Sequence, residues 1–199
     1  MSGMFAGALA FDQPLDFDTS SVISMRAMFD GASAFNQPLS VGNVSNASTT
    51  RRALLSTGAR RPHFDTSSVT DMRAMFAGAV AFNQPLRFAT PSVTDMSGMF
   101  RGALVFNSPL SFDVAVVATG RRALSSAVRS PRELNEQPSF GTANVNDMAD
   151  MFNGAAAFDQ LLSFDTSSVT AMSGMFAGAV VFDQPLDFDT SSVISMRAM

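Results

Sequence analysis

The apolar residues of the chain recur in one fixed phrase. From Phe11 to Ala34 it reads F-D-Q-P-L-D-F-D-T-S-S-V-I-S-M-R-A-M-F-D-G-A-S-A. Val22, Met25, Met28 and Phe29 fall at i, i+3, i+6 and i+7, and Val69, Met72, Met75 and Phe76 repeat the set. This spacing predicts one apolar face of a short helix. The preceding Thr-Ser-Ser run offers N-cap oxygens, and Ser68-x-x-Asp71 and Ser92-x-x-Asp95 resemble capping boxes with Asp at the third position. Gly7, Gly31, Gly78, Gly102, Gly154 and Gly178 are expected to end each helix in the left-handed conformation. A helix of two turns is unstable alone, so its apolar face requires neighbours.

The other half of the phrase alternates at Leu15 and Phe17, at Leu86 and Phe88, and at Leu186 and Phe188. Alternation over so few residues predicts a very short strand. Pro14, Pro38, Pro85, Pro109 and Pro185 stand immediately before it, where a missing N–H is tolerated.

Met-Phe pairs mark the period. They begin at Met4, Met28, Met75, Met99, Met151 and Met175, with gaps of 24, 47, 24, 52 and 24 residues. Residues 1–28 and 172–199 differ only at Leu9/Val180 and Ala10/Val181, which points to recent duplication. One strand and one short helix in 24 residues fall in the range of leucine-rich repeats. The expected fold class is therefore an α/β repeat solenoid, a leucine-rich-repeat-like right-handed superhelix of short strand plus short helix with period 24. The chain 1–199 reads as one solenoid with regular repeats at 1–40, 64–113 and 140–199. The two long gaps leave 41–63 and 114–139. Aligning Arg51-Arg52-Ala53-Leu54 and Arg121-Arg122-Ala123-Leu124 with Met25-Arg26-Ala27-Met28 makes them eroded copies. Loops, or errors in the gene model, are the other readings.

Composition narrows the functional classes. At 46% apolar and net charge −4, the chain can bury a core. Every cation is Arg. The interruptions hold 8 Arg and 2 Glu while the rest holds 5 Arg and 15 Asp, so the basic charge gathers in the irregular segments. Arg-rich loops explain this, or a basic patch for anionic partners, and no nucleic-acid partner is indicated. With no Cys, disulfides, thiolate metal sites and cysteine nucleophiles are excluded. No apolar run is long enough to span a membrane, and the N-terminus lacks the basic and apolar regions of a secretion signal.

Candidate chemistry is sparse. The column Asp18, Asp65, Asp113, Asp165 and Asp189 suggests calcium at first sight. Calcium solenoids use denser ligands in Gly-rich turns, whereas an Asp before a helix N-terminus is favoured by the dipole. Gln13, Gln37, Gln84, Gln160 and Gln184, beside an Asn/Asp column, are expected to form a hydrogen-bonding ladder. His63 is the single His and has no Cys or second His to complete a metal site or a Ser-His-Asp set. The 14 Met are assigned to core columns. Asn43 and Asn46 head glycosylation sequons that matter only in a secreted chain. The sequence assigns no catalytic, cofactor-binding or metal-binding residue, and implies no cofactor.

The phrases F-D-T-S-S-V-T at 64–70, M-S-G-M-F-A-G-A at 1–8 and A-F-N-Q-P-L at 34–39 recur in fixed order. In these the chain resembles the repeats of BspA-like leucine-rich-repeat surface proteins, over about 1–40, 64–113 and 140–199. That family commonly has Trp where this chain has Phe17, Phe64, Phe88, Phe112, Phe164 and Phe188. The resemblance implies a non-enzymatic cell-surface or extracellular module for binding or adhesion, with a protein or glycan partner. A fragment or decayed copy of a larger repeat protein is the alternative. Self-association through uncapped ends is also expected, because terminal repeats normally shield the open core.

Overall fold

The computed structural model describes residues 1–15, 18–39, 64–111 and 141–199. The repeated units lie one on another as rungs of a parallel ladder. Bridges run Ser24 to Asp71, Asp95, Asp147, Ala171 and Ser195 in turn, all parallel, and Gly3 N–H bonds the carbonyl of Arg26 to add a rung before them. Two strands of two residues, β1 (Leu86–Arg87) and β2 (Leu110–Ser111), pair in parallel with Leu86 opposite Leu110.

No helix is present among the described residues, so the expected helices of the units are a correction. The N–H groups of Met25, Ala27, Phe29 and Gly31 leave the unit altogether. They donate to the carbonyls of Asp71, Arg73, Met75 and Ala77 at 3.0, 2.8, 2.9 and 2.7 Å. The alternate N–H groups of Met28, Asp30 and Ala32 donate back three residues, to Met25, Ala27 and Phe29. Each rung is thus a train of tight turns that sends about every second hydrogen bond to its neighbour. An α-helix needs every N–H for the residue four before it. The backbone enforces the difference: Ala27 and Gly31 both have positive φ, 54° and 70°, and a left-handed residue at every fourth position cannot continue a right-handed helix.

The apolar spacing nevertheless marks the buried face. Met25, Met28, Phe29, Ala32 and Phe35 are fully buried, and the same positions of the following rungs form the core with them. Phe29 stacks on Phe76 at 5.4 Å, Phe76 on Phe100 at 5.6 Å and Phe100 on Phe152 at 5.6 Å. A second file runs Phe35, Phe82, Phe106 and Phe158 at 5.9 Å per step. Within a rung the two files touch, as at Phe76 and Phe82, 4.3 Å apart. Nearly parallel offset rings at these separations are a favourable aromatic geometry.

Spacing along the chain does not set spacing along the ladder. Met25 pairs with Asp71 as Met72 pairs with Asp95, and Met96 bonds Asp147 in the same way. The rungs on either side of each long gap are direct neighbours. The eroded copies expected at Arg51 and Arg121 fall in the two long gaps. Segments 41–63 and 114–139 themselves lie outside the described residues.

Candidate functional site: a charged groove beside the left-handed column

The polar positions that recur in every unit are used to join units. Thr19, Thr66, Thr90, Thr142 and Thr166 are buried. Each hydroxyl donates to a carbonyl of the next rung, as Thr66 does to Ala89 at 2.7 Å and Thr90 to Gly141 at 2.9 Å. The glutamine ladder is present in a specific form. Asn36 Oδ1 accepts from Asn83 N–H and from Gln84 Nε2, and Asn107 Oδ1 accepts from Asp159 N–H and Gln160 Nε2. Where the phrase has Ser108 in place of Gln, its hydroxyl reaches Asn83 Oδ1 at 3.0 Å.

The Asp column has a local role. Asp18, Asp65, Asp165 and Asp189 each accept from the N–H two residues on, at Ser20, Ser67, Ser167 and Ser191. This closes a turn rather than capping a helix. Asp71 and Asp95 likewise reach forward, to the N–H groups of Arg73 and Ser97, so the expected capping boxes with Ser68 and Ser92 are not formed. Asp113, His63, Asn43 and Asn46 lie outside the described residues.

Charges outside the Thr, Asn and Gln columns converge on one groove of about 380 Å³, lined among others by Arg26, Arg73, Arg101, Gly98, Asp147 and Asp150. These residues come from four successive rungs. Arg73 is clamped: Nη2 lies 2.7 Å from Asp71 Oδ2, and Nε lies 3.1 Å from Asp71 Oδ1 and 3.3 Å from Asp95 Oδ2 on the next rung. Partial burial pushes the Asp71 carboxyl up, but the hydrogen bonds from Arg73 and the charges of Arg73 and Arg26 hold it below its ordinary value. Bonding to Asp71 and the charge of Asp95 raise Arg73 in turn. At the far end Asp150 holds positive φ, 56°, and accepts from Asn153 Nδ2 at 2.7 Å. Between them Gly98, also left-handed with φ of 60°, carries no side chain and so opens the floor.

Sequence reasoning missed this cluster, although Asp71, Arg73 and Asp95 stand two and 24 residues apart, the separations of one rung and the next. A guanidinium always charged and carboxylates already paired favour recognition of charged or polar groups over proton transfer. Among the described residues no group of three His, Cys, Asp or Glu side chains is arranged to hold a metal ion. No helix there is long and apolar enough to cross a membrane.

One family model matches in three tandem blocks, residues 1–59, 57–137 and 122–199. The chain belongs to the family described as Mycoplasma protein of unknown function, DUF285. Its matched blocks run through both long gaps as well as the regular rungs, so DUF285 membership extends over the whole sequence. No curated protein and no solved structure matches the chain. DUF285 is an uncharacterised repeat family and carries no sign of a catalytic function.

Proposed function

We propose that this DUF285 chain is a non-enzymatic solenoid scaffold of the BspA-like surface type, holding a charged groove out to a protein or glycan partner. The observation that supports this most is where the polar groups go. The Thr, Asn and Gln columns are consumed in rung-to-rung bonds, and among the described residues no buried side-chain polar atom is left without a partner. Chemistry needs a polar group held in reserve, whereas a scaffold needs them spent on rigidity. Arg26, Arg73, Arg101, Asp147 and Asp150, which stand outside those Thr, Asn and Gln columns, line one groove together.

The test has two arms. Antibody raised against the repeat should label intact cells that express the protein without permeabilisation. Immobilised protein on an array of neutral, carboxylated and sulfated glycans should retain a subset that Arg26→Ala/Arg101→Ala releases. Label confined to permeabilised cells, or binding unchanged by the double substitution, defeats the reading. A transcript with no detectable protein supports a decayed copy instead.

A further inference from the structure

Asn153-Gly154 is the one Asn-Gly step in the chain. A glycine nitrogen has no Cβ beside it to hinder its attack on the preceding side chain, so this step is the one most open to imide closure. Other rungs have Ala6, Asp30, Ala77, Arg101 and Ala177 in the same column before the glycine, and none of these carries a side-chain amide. Asn153 is half-buried, so water reaches it. The closed stack nevertheless ties down both reacting groups. Gly154 N–H donates to Ala177 O of the next rung at 2.7 Å, and Asn153 Nδ2 donates to Asp150 Oδ1 at 2.7 Å. The ring of Phe152 stacks on Phe176 of that next rung at 5.5 Å, and Phe152 N–H donates to Met175 O at 2.8 Å. Ring closure needs the Gly154 nitrogen stripped of its proton and aimed at Asn153 Cγ. While that proton is held on Ala177 O, neither condition is met.

We propose that Asn153 is a deamidation site which the closed stack protects and which opening between its rung and the next exposes, so that conversion there marks permanently a chain that has opened. Once the bond to Ala177 is broken, base removes the Gly154 amide proton. The nitrogen then forms a bond to Asn153 Cγ, the Cγ–Nδ2 bond breaks, and the side-chain nitrogen takes up a proton and leaves as ammonia. Water opens the five-membered imide at either carbonyl, giving aspartate or isoaspartate. Neither product restores the rung. Aspartate sets a carboxylate where an amide donated to Asp150, and two like charges in contact repel. Isoaspartate lengthens the backbone by one methylene just before Gly154, which carries its N–H out of step with Ala177 O. Because each rung is held by its neighbours, the damage stays at this one junction of the stack.

The test compares the folded full-length chain with the same chain unfolded in urea, both held at neutral pH and physiological temperature and mapped by peptide mass spectrometry over time. The unfolded chain should convert at position 153 ahead of every other Asn. The folded chain should convert roughly tenfold or more slowly, since reaction from a briefly opened state follows the population of that state. Phe176→Leu loosens the ring contact with Phe152 and should raise the folded rate several-fold while leaving the unfolded rate unchanged. Phe11→Leu, in the first rung, should change neither. Equal rates in the folded and unfolded chain overturn the proposal, as does conversion led by another Asn or a folded rate that Phe176→Leu leaves unmoved. If Phe176→Leu does not fold, the parent chain in sub-denaturing urea decides: its rate should climb with urea, and a flat rate overturns the proposal.

Discussion

One side-chain oxygen of Asn36 accepts two bonds from the neighbouring rung, the backbone N–H of Asn83 at 2.9 Å and Gln84 Nε2 at 3.1 Å. Asp12 and Asp159 do the same with a carboxylate oxygen. The position therefore requires an acceptor and is indifferent to charge. Asn36→Asp should leave stability within about 0.5 kcal/mol, whereas Asn36→Ala should cost roughly 1–3 kcal/mol by stranding two donors. Urea unfolding of both variants measures the difference, and equal losses would refute the acceptor role.

The left-handed column makes a prediction of opposite sign. It holds Gly3, Gly98 and Gly174 in some rungs but Ala27, Ala74 and Asp150 in others, all at positive φ. Left-handed backbone costs a residue with Cβ about 1–2 kcal/mol, part of which glycine returns through its looser unfolded chain. Ala74→Gly should thus stabilise by roughly 0.5–1 kcal/mol, read as a higher melting temperature. Gly174→Ala should destabilise by more than strain alone, since a Cβ there would overlap the Asp150 carboxylate.

Buried threonines should prove more sensitive than their size suggests. Thr90 is 1% exposed and its hydroxyl donates to Gly141 O. Thr90→Val keeps the shape and removes the donor, at a cost of about 1–2 kcal/mol. Thr94, an exposed residue whose hydroxyl also bonds the neighbouring rung, should tolerate Val within about 0.5 kcal/mol. Calorimetry on the pair separates burial from bonding.

Acid should weaken the ladder in a defined window. Asp71, Asp159 and Asp189 all have pKa values held below the ordinary 3.8. Asp71 is lowered against its own burial by Arg73; Gln184 and Ser191 lower the other two by hydrogen bonding. A lowered folded value means the unfolded chain binds protons first. The contribution is complete above the ordinary value and is lost as pH falls through the folded values. Stability should be flat from pH 7 to about 5 and decline below about 4. In Gln184→Ala the decline should be shallower, and an unchanged slope would remove Asp159 from the account.

Much of this is legible in the sequence. The buried side of Val22, Met25, Met28 and Phe29, the left-handed Gly31 and the Gln ladder can all be read there, because each signal is a residue type repeated at one position. The helix is misread for a physical reason. A train of three-residue turns buries positions three and four apart, as an α-helix does, so apolar spacing cannot separate them. The deciding signal is the column of Gly3, Gly98 and Gly174, four residues before the glycine expected to end the helix. Ala27 hides that signal in its own unit, and only comparison across rungs reveals it. The Arg73 cluster escapes because it occurs once, and a search for repetition passes over what is singular.

Direct bonding of Met25 to Asp71 across a gap of 46 residues, and of Met72 to Asp95 across 23, bears on how such a gene can change. Register is held by the Phe files and by Asn36-type acceptors, not by the count of residues between rungs. Extra sequence can therefore enter at the corner after Leu39 or Ser111 without shifting a single rung, while the loss of one residue between Met25 and Phe35 would misalign every column of that rung. Unequal crossing-over between near-identical units such as 1–28 and 172–199 deletes or adds whole rungs and leaves all columns aligned. Length is thus the cheapest property for this lineage to vary, and the inner face of a rung the dearest.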